Sequence, residues 1–306
     1  MYKIFLCETV HPEAYRMLRE RAEIIDSFER IREADAVINR NLKMDRAFLE
    51  QCSSLKVIGI HGTGRDGVDL QAAADRGIKV VYTPHENADS VAELVMALAL
   101  NLARKVCLAD RLLQAGADVP KAPVFLTGME LRGKTLGLIG TGDIGRRTTS
   151  MFRAAFSMKV IGYSPSLNEE KAAKLGMECA VDIREVFRRS DIVSVSVPLT
   201  DQTRGMIGGQ ELAAARPGML LINTSRGGVV DEAELYQSLV SGKIGGAACD
   251  VFASKPPTRE NPLVTLDHFI ATPHIGAATD EALYRVGKSV VKQIFDALED
   301  KQQTSS

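Results

Sequence analysis

The sequence predicts an α/β protein built from two doubly wound parallel-sheet domains. Three observations carry this. The 306 residues exceed what one ordinary hydrophobic core organises. The N-terminal third alternates short apolar β-type runs with helical segments, the grammar of a parallel sheet with helices on both faces. A second βα series then opens in mid-chain, where Thr135-Leu136-Gly137-Leu138-Ile139 breaks into Gly140-Thr141-Gly142-Asp143-Ile144-Gly145 and a helical segment.

Residues 3–7 read as a strand and 12–21 as a helix. Ala36-Val37-Ile38 is a buried strand, 45–51 a helix, and Lys56-Val57-Ile58-Gly59-Ile60 the next strand. A helix over 70–76 ends at Gly77, and Lys79-Val80-Val81-Tyr82 follows as a strand. Residues 89–104 form one long apolar helix, capped by Asp89 or Ser90 with Glu93 in its first turn, whose apolar content suits burial by both domains. Residues 114–128, with Gly116, Pro120, Pro123 and Gly128, lack periodicity and read as an irregular arm. In the second series Lys159-Val160-Ile161-Gly162-Tyr163 is the second strand, and later strands fall at 192–197, 219–223, 246–250 and 269–271. A final helix over 280–298 is long enough to return to the N-terminal domain.

Bulk properties exclude several classes. Thirty-eight basic residues against 39 acidic ones leave a formal net charge of −1, so no electrostatic footprint for nucleic acid or an anionic membrane is present. The longest apolar stretches, near 94–102 and 219–222, are far too short to span a bilayer. The start, Met1-Tyr2-Lys3-Ile4-Phe5-Leu6, reads as a strand and not a secretory leader. Cys7, Cys52, Cys107, Cys179 and Cys249 are scattered without a Cys-x-x-Cys pair. That argues for reduced thiols in a cytoplasmic protein, and against a zinc or other metal site or a disulfide framework.

The glycine run has the layout of a dinucleotide-binding turn. Gly140 permits the tight turn, Gly142 lets the backbone approach a pyrophosphate, and Gly145 lets helix and strand pack closely. The helix start at Asp143 and Ile144 then offers unpaired N–H groups and a positive dipole end to the phosphates.

Further segments occur in fixed order. Val91-Ala92-Glu93-Leu94 opens the long helix; Val197-Pro198-Leu199-Thr200 and Gln202-Thr203-Arg204-Gly205 follow the fingerprint. Ile222-Asn223-Thr224-Ser225-Arg226-Gly227-Gly228-Val229-Val230-Asp231, Asp250-Val251-Phe252 and Thr272-Pro273-His274-Ile275-Gly276 complete the set. With these motifs the chain resembles the D-isomer-specific 2-hydroxyacid dehydrogenases, the family of phosphoglycerate dehydrogenases, glyoxylate/hydroxypyruvate reductases and D-lactate dehydrogenases. The resemblance implies two Rossmann-like or flavodoxin-like domains. A discontinuous substrate domain of residues 1–98 and 282–306 would flank a nicotinamide-binding domain of residues 99–281. It also implies a homodimer formed largely through the cofactor domain. The activity implied is NAD(P)-dependent interconversion of a small 2-hydroxy acid and its 2-oxo acid.

The residues support that chemistry on their own terms. A 2-oxo acid receiving a hydride needs a cation for its carboxylate and carbonyl, and an acid for the developing alkoxide. Arg226 follows a strand, at the carboxyl end where α/β sheets place their sites, and a guanidinium clamps a carboxylate bidentately. His274, also just after a strand, is the expected proton donor. By resemblance, Asp250 holds the nicotinamide carboxamide, and the loop His61-Gly62-Thr63-Gly64-Arg65 supplies backbone N–H groups to the substrate carboxylate. Pro198, Thr203, Thr224, Ser225 and Gly276 complete the cofactor-facing set through the same motifs.

The pattern breaks at several places, two of which bear on the chemistry. The family's third catalytic residue is a glutamate five positions after the aspartate of Asp-Val-Phe; here that position is Lys255, with Pro256 in register behind it. Two unit charges about 4 Å apart at an effective dielectric near 20 interact by about 4 kcal/mol, so repulsion there would depress a histidine pKa. Three outcomes stay open: the lysine turns away and leaves a weakened reductase, it binds an extra anionic group while His274 works as a base, or catalysis is lost and nucleotide binding persists. The last is the alternative of an NAD(H)-binding regulatory or scaffold protein. Second, Ser164 stands where NAD-dependent members carry an acidic residue for the ribose hydroxyl. With Ser166 nearby it tips the expected cofactor, NAD or NADP, toward NADP. Arg40, after the third strand, and Arg65, in the carboxylate loop, add positive charge that points to a substrate with a second anionic group.

Overall fold

The structure, a computed structural model, describes residues 1–254 and 257–303. Lys255, the residue at the family's glutamate position, lies outside the described residues. The chain forms two compact units, residues 1–87 with 277–306 and residues 88–276. These seams differ from the expected 98/99 and 281/282, because the whole of the long apolar helix packs against elements of the second unit.

The first unit runs β1 (Tyr2–Leu6), α1 (Pro12–Arg19), β2 (Ala22–Ile25), β3 (Ala36–Asn39), α2 (Arg46–Gln51), β4 (Val57–Ile60), α3 (Leu70–Asp75) and β5 (Lys79–Tyr82). Its five strands are parallel in the order β2-β1-β3-β4-β5, the flavodoxin-like order, with the switch point between β1 and β3. Side-chain alternation decides the two faces. Phe5 and Ile58 join Leu49 of α2 and Ala72 of α3, whereas Ile4 and Val57 join Leu18 of α1 and Val290, Ile294 and Phe295 of the returning C-terminal helix (Asp280–Gln303).

The second unit begins with α4 (Ala88–Arg104) and α5 (Val106–Gln114). There follow β6 (Thr135–Ile139), α6 (Asp143–Phe156), β7 (Lys159–Tyr163), α7 (Glu169–Leu175), β8 (Glu178–Cys179), α8 (Ile183–Arg189) and β9 (Ile192–Val195). It ends with α9 (Gly209–Ala213), β10 (Met219–Asn223), α10 (Glu232–Val240), β11 (Ile244–Cys249) and β12 (Phe269–Ala271); the C-terminal helix is α11. All seven strands are parallel, ordered β12-β11-β10-β9-β6-β7-β8, which reverses between β6 and β9. Leu136 and Leu138 of β6 face Val95 and Leu98 of α4 and Phe152 of α6, while Val193, Val195 and Leu221 face Phe187, Leu212 and Leu235.

The pattern gave no range to β2, only four residues long, to α5, which has no buried residue to mark it, or to α7, β8, α8, α9 and α10. The arm after α5 contains only a 3-10 turn at Val124–Leu126, with Val124 and Phe125 exposed. No helix among the described residues is long and apolar enough to cross a membrane.

Candidate functional site

Parallel strands deliver all their carboxyl ends to one edge of a sheet. In the second unit this rim carries the glycine turn after β6, Ser164 after β7, Ser196 to Pro198 after β9, Thr224 to Arg226 after β10, Asp250 after β11 and His274 after β12.

The glycine turn has the shape its chemistry requires. Gly140 has φ +96°, and a Cβ there would collide with the Ser196 carbonyl. At Gly145 a Cβ would strike the Gly140 carbonyl, whereas at Gly142 it would meet nothing within 4 Å. Gly142 is also the N-cap of α6 and provides no side-chain cap, whereas Asp45, Asp69, Asn168, Asp182 and Asp231 cap their helices with side-chain oxygens. The 14-residue α6 therefore meets an open space with main-chain donors and its positive dipole end. Asp143 of its first turn pairs with Arg146.

Beside the turn, Thr141 Oγ1 and Ser164 Oγ share a hydrogen bond of 2.8 Å. The next turn closes through Leu167 N–H donating to the Ser164 carbonyl, and Lys171 Nζ donates to the Ser166 carbonyl at 2.9 Å. An ammonium is thus held against the Ser164–Leu167 turn, which carries no carboxylate. Farther along, the hydroxyls of Ser196 and Thr224 are buried without a hydrogen-bond partner among the described residues, a costly arrangement that a polar ligand would relieve. Thr203 Oγ1 donates to the Pro198 carbonyl at 2.6 Å, so this threonine struts its own loop. Glycine turn, uncapped helix and orphaned hydroxyls together fit a bound dinucleotide.

The chemistry-bearing end of the rim is organised in part by Asn223 and Thr272, which the sequence reading quoted but gave no task, and by Glu232, which it did not quote. Asn223 Oδ1 accepts from Ser225 N–H at 3.1 Å and Ser225 Oγ at 2.6 Å, and its Nδ2 donates to the Arg226 carbonyl at 3.4 Å. Arg226, half-buried, donates from Nη1 to the Ser225 carbonyl at 2.7 Å. Asp250 is 1 % exposed and binds Thr272, Ile275 and Gly276 around His274, itself exposed with φ +59°. Glu232 accepts from Ala253 N–H at 2.7 Å and Asn261 Nδ2 at 2.9 Å, tying both to one carboxylate. No group of His, Cys, Asp or Glu among the described residues is arranged to hold a metal ion.

On the first unit's carboxyl edge, β3 and β4 are neighbours and lead into Arg40 and the His61–Arg65 loop. The amides of His61 and Gly62 are taken by the Asn39 and Ile60 carbonyls, both at 2.8 Å, so the expectation of substrate-facing amides narrows to Thr63, Gly64 and Arg65. Thr63 Oγ1 donates to the Thr83 carbonyl at 3.4 Å, and the exposed Arg65 guanidinium lies 4.7 Å from the centroid of the Tyr82 ring. His61 is buried, and its Nε2 has no partner among the described residues. Burial, followed by the positive charge of Arg40, pushes its pKa down to about 4, which keeps the ring neutral. Burial also pushes the Cys7 thiol up to about 12, which makes it inert as a nucleophile at neutral pH.

The chain is similar to known proteins in sequence and in fold. The family model described as D-isomer specific 2-hydroxyacid dehydrogenase, NAD binding domain, matches residues 96–276. The chain is 40 % identical over 307 residues to a D-3-phosphoglycerate dehydrogenase of Methanocaldococcus jannaschii, covering 97 % of this chain and 58 % of that protein. It is 40 % identical over 309 residues to a hydroxypyruvate reductase of Thermotoga maritima, covering 97 % and 98 % respectively. Among solved structures, D-lactate dehydrogenase of Aquifex aeolicus complexed with NAD and lactic acid has a TM-score of 0.84 at 27 % identity, covering 98 % of this chain and 96 % of that one. The chain therefore spans little more than half the length of the phosphoglycerate dehydrogenase and nearly all of the reductase.

Proposed function

Because the chain belongs to the D-isomer specific 2-hydroxyacid dehydrogenase family, we propose that it is an NAD(P)-dependent oxidoreductase interconverting a small 2-hydroxy acid and its 2-oxo acid. The single observation behind this reading is the succession of Arg226 and His274 after parallel strands of the sheet whose glycine turn fits a dinucleotide. When bound, the nicotinamide exchanges a hydride with C2 of the substrate. Arg226 holds the substrate carboxylate and polarises the carbonyl through its fork of donors. His274 gives its imidazole proton to the developing alkoxide in reduction and takes it back in oxidation. The α6 N-terminus holds the pyrophosphate, with Thr224 and Ser196 offering their unpartnered hydroxyls.

Finer points extend the reading. Ser164, Thr141 and the docked Lys171 favour the 2′-phosphate of NADP, since a hydroxyl pair and an ammonium replace the carboxylate that would repel it. Arg40 and Arg65, with the Thr63 and Gly64 amides, are assigned to the anionic groups of a substrate carrying a second charge. The apolar Val106, Leu113, Val124 and Phe125, all exposed, supply surface for a second copy and favour a homodimer. Five free, dispersed thiols suit the cytoplasm. The nucleotide-sensing alternative gains no support from the relatives described above, which are named dehydrogenase and reductase.

Titration with NADH and NADPH, then a panel of 2-oxo acids with the tighter cofactor, tests the proposal. Turnover of a dianionic 2-oxo acid above glyoxylate is expected; no turnover of any 2-oxo acid would refute the assignment. In the same panel Lys255→Glu is expected to raise reduction of monoanionic acids at least tenfold and to lower that of dianionic ones.

A further inference from the structure

We infer that Asp250 is a positioning residue that fixes the backbone of His274, an inference that rests on the proton-transfer role proposed for that histidine. His274 adopts φ +59°, a left-handed conformation that L-residues enter only when their surroundings impose it. Around the backbone of this residue, Asp250 supplies both a side chain and a carbonyl. The Asp250 carbonyl accepts the His274 N–H at 2.9 Å. Its Oδ1 accepts the Ile275 N–H at 2.8 Å and the Thr272 hydroxyl at 2.6 Å, and its Oδ2 accepts the Gly276 N–H at 2.8 Å.

Three consecutive amides thus converge on one residue. A left-handed residue turns the N–H groups that follow it toward one side, making a main-chain nest for an anion. In this nest the anion is intramolecular. The two unusual features therefore account for each other: a carboxylate 1 % exposed needs several donors, and a left-handed histidine needs a tether. Three of the roughly four lone-pair positions of the carboxylate are used internally, so at most one is left for a nicotinamide carboxamide.

The tether extends to the other proposed catalytic residue. Asp250 N–H donates to the Asn223 carbonyl at 2.9 Å, and Asn223 holds the Ser225–Arg226 turn through its amide. Arg226 and His274 therefore project from one hydrogen-bonded frame, Asn223–Asp250.

Asp250→Asn keeps the volume but turns an amide N–H₂ toward amide donors. Expected are a fall in kcat of at least a hundredfold, an NADH Kd within about threefold of wild type, and hydrogen exchange over residues 272–278 accelerated at least tenfold, read by mass spectrometry. Thr272→Val, milder and nearly isosteric, should reduce kcat about tenfold and accelerate the same exchange while leaving the NADH Kd within about threefold of wild type, and it serves if Asp250→Asn does not fold. His274→Ala should abolish turnover yet leave Ile275 and Gly276 protected. An NADH Kd weakened tenfold or more, with exchange over 272–278 unchanged, would overturn the proposal and make Asp250 a cofactor ligand. Exchange is read without substrate, so it decides the tether even if wild-type protein reduces no 2-oxo acid, an outcome that sinks only the dehydrogenase reading.

Discussion

Lowering the pH from 7 to 5 should cost the first unit about 2 kcal/mol through His61 alone. The imidazole is 7 % exposed, and burial followed by Arg40 holds its pKa near 4 against an ordinary value of 6.5. The folded value lies below the unfolded one, so between them the unfolded chain takes up a proton that the native state refuses. Stability from this source is fully present above about pH 6.5 and is lost as the pH falls toward 4. At pH 5 the unfolded ring is nearly all protonated and the folded ring about one-tenth, which gives the stated loss at about 1.4 kcal/mol per pKa unit. With a urea m-value of about 2 kcal/mol per M, the midpoint should drop by about 1 M. His61→Leu keeps an apolar side chain but removes the titration. Urea melts of both proteins at pH 7 and pH 5, followed by far-ultraviolet circular dichroism, isolate the effect from carboxylates common to both. Identical pH slopes in the two proteins would refute the argument.

Two further outcomes follow from the cofactor rim. Ser164→Asp should weaken NADPH at least tenfold while leaving NADH within about threefold, measured by fluorescence titration; an unchanged preference would remove the ribose role of Ser164. Gly145→Ala drives a Cβ into the Gly140 carbonyl, and overpacking of this kind costs about 1–3 kcal/mol. Its thermal midpoint and its affinity for either nucleotide should therefore both fall, and a variant that binds as wild type would contradict the close approach of turn and helix.

Much of the architecture was readable from periodicity and punctuation. The β6 run and its glycines announced both strand and turn, because a fully buried parallel strand and a phosphate-facing helix start each demand particular residue types locally. The return of α11 was likewise legible in one sustained apolar stripe. What escaped depends on tertiary partners. In β2, Glu23 interrupts a four-residue run whose buried ends, Ala22 and Ile25, are set by β1 alongside. The seam at 87/88 was displaced because α4 is apolar along its length, and sequence does not say which neighbour covers it. His61 entered the reading only for its backbone, since nothing local distinguishes a buried neutral histidine from an exposed one. The tether at Asp250 links positions more than twenty residues apart, beyond any local pattern.

The covering of one sheet face by α11 has a consequence for how a ribosome-bound chain matures. Ile4, Leu18 and Val57 find Val290, Ile294 and Phe295 only when that last helix has emerged. Between the completion of β5 and the start of α11 the ribosome adds roughly 200 residues, about 10–40 s at ordinary elongation rates. Throughout that interval the nascent N-terminal sheet shows a greasy flank to the cell, and the strands of the intervening unit are still being added up to β12. Residues 1–87 are thus translated well before the helix that covers one face of their sheet.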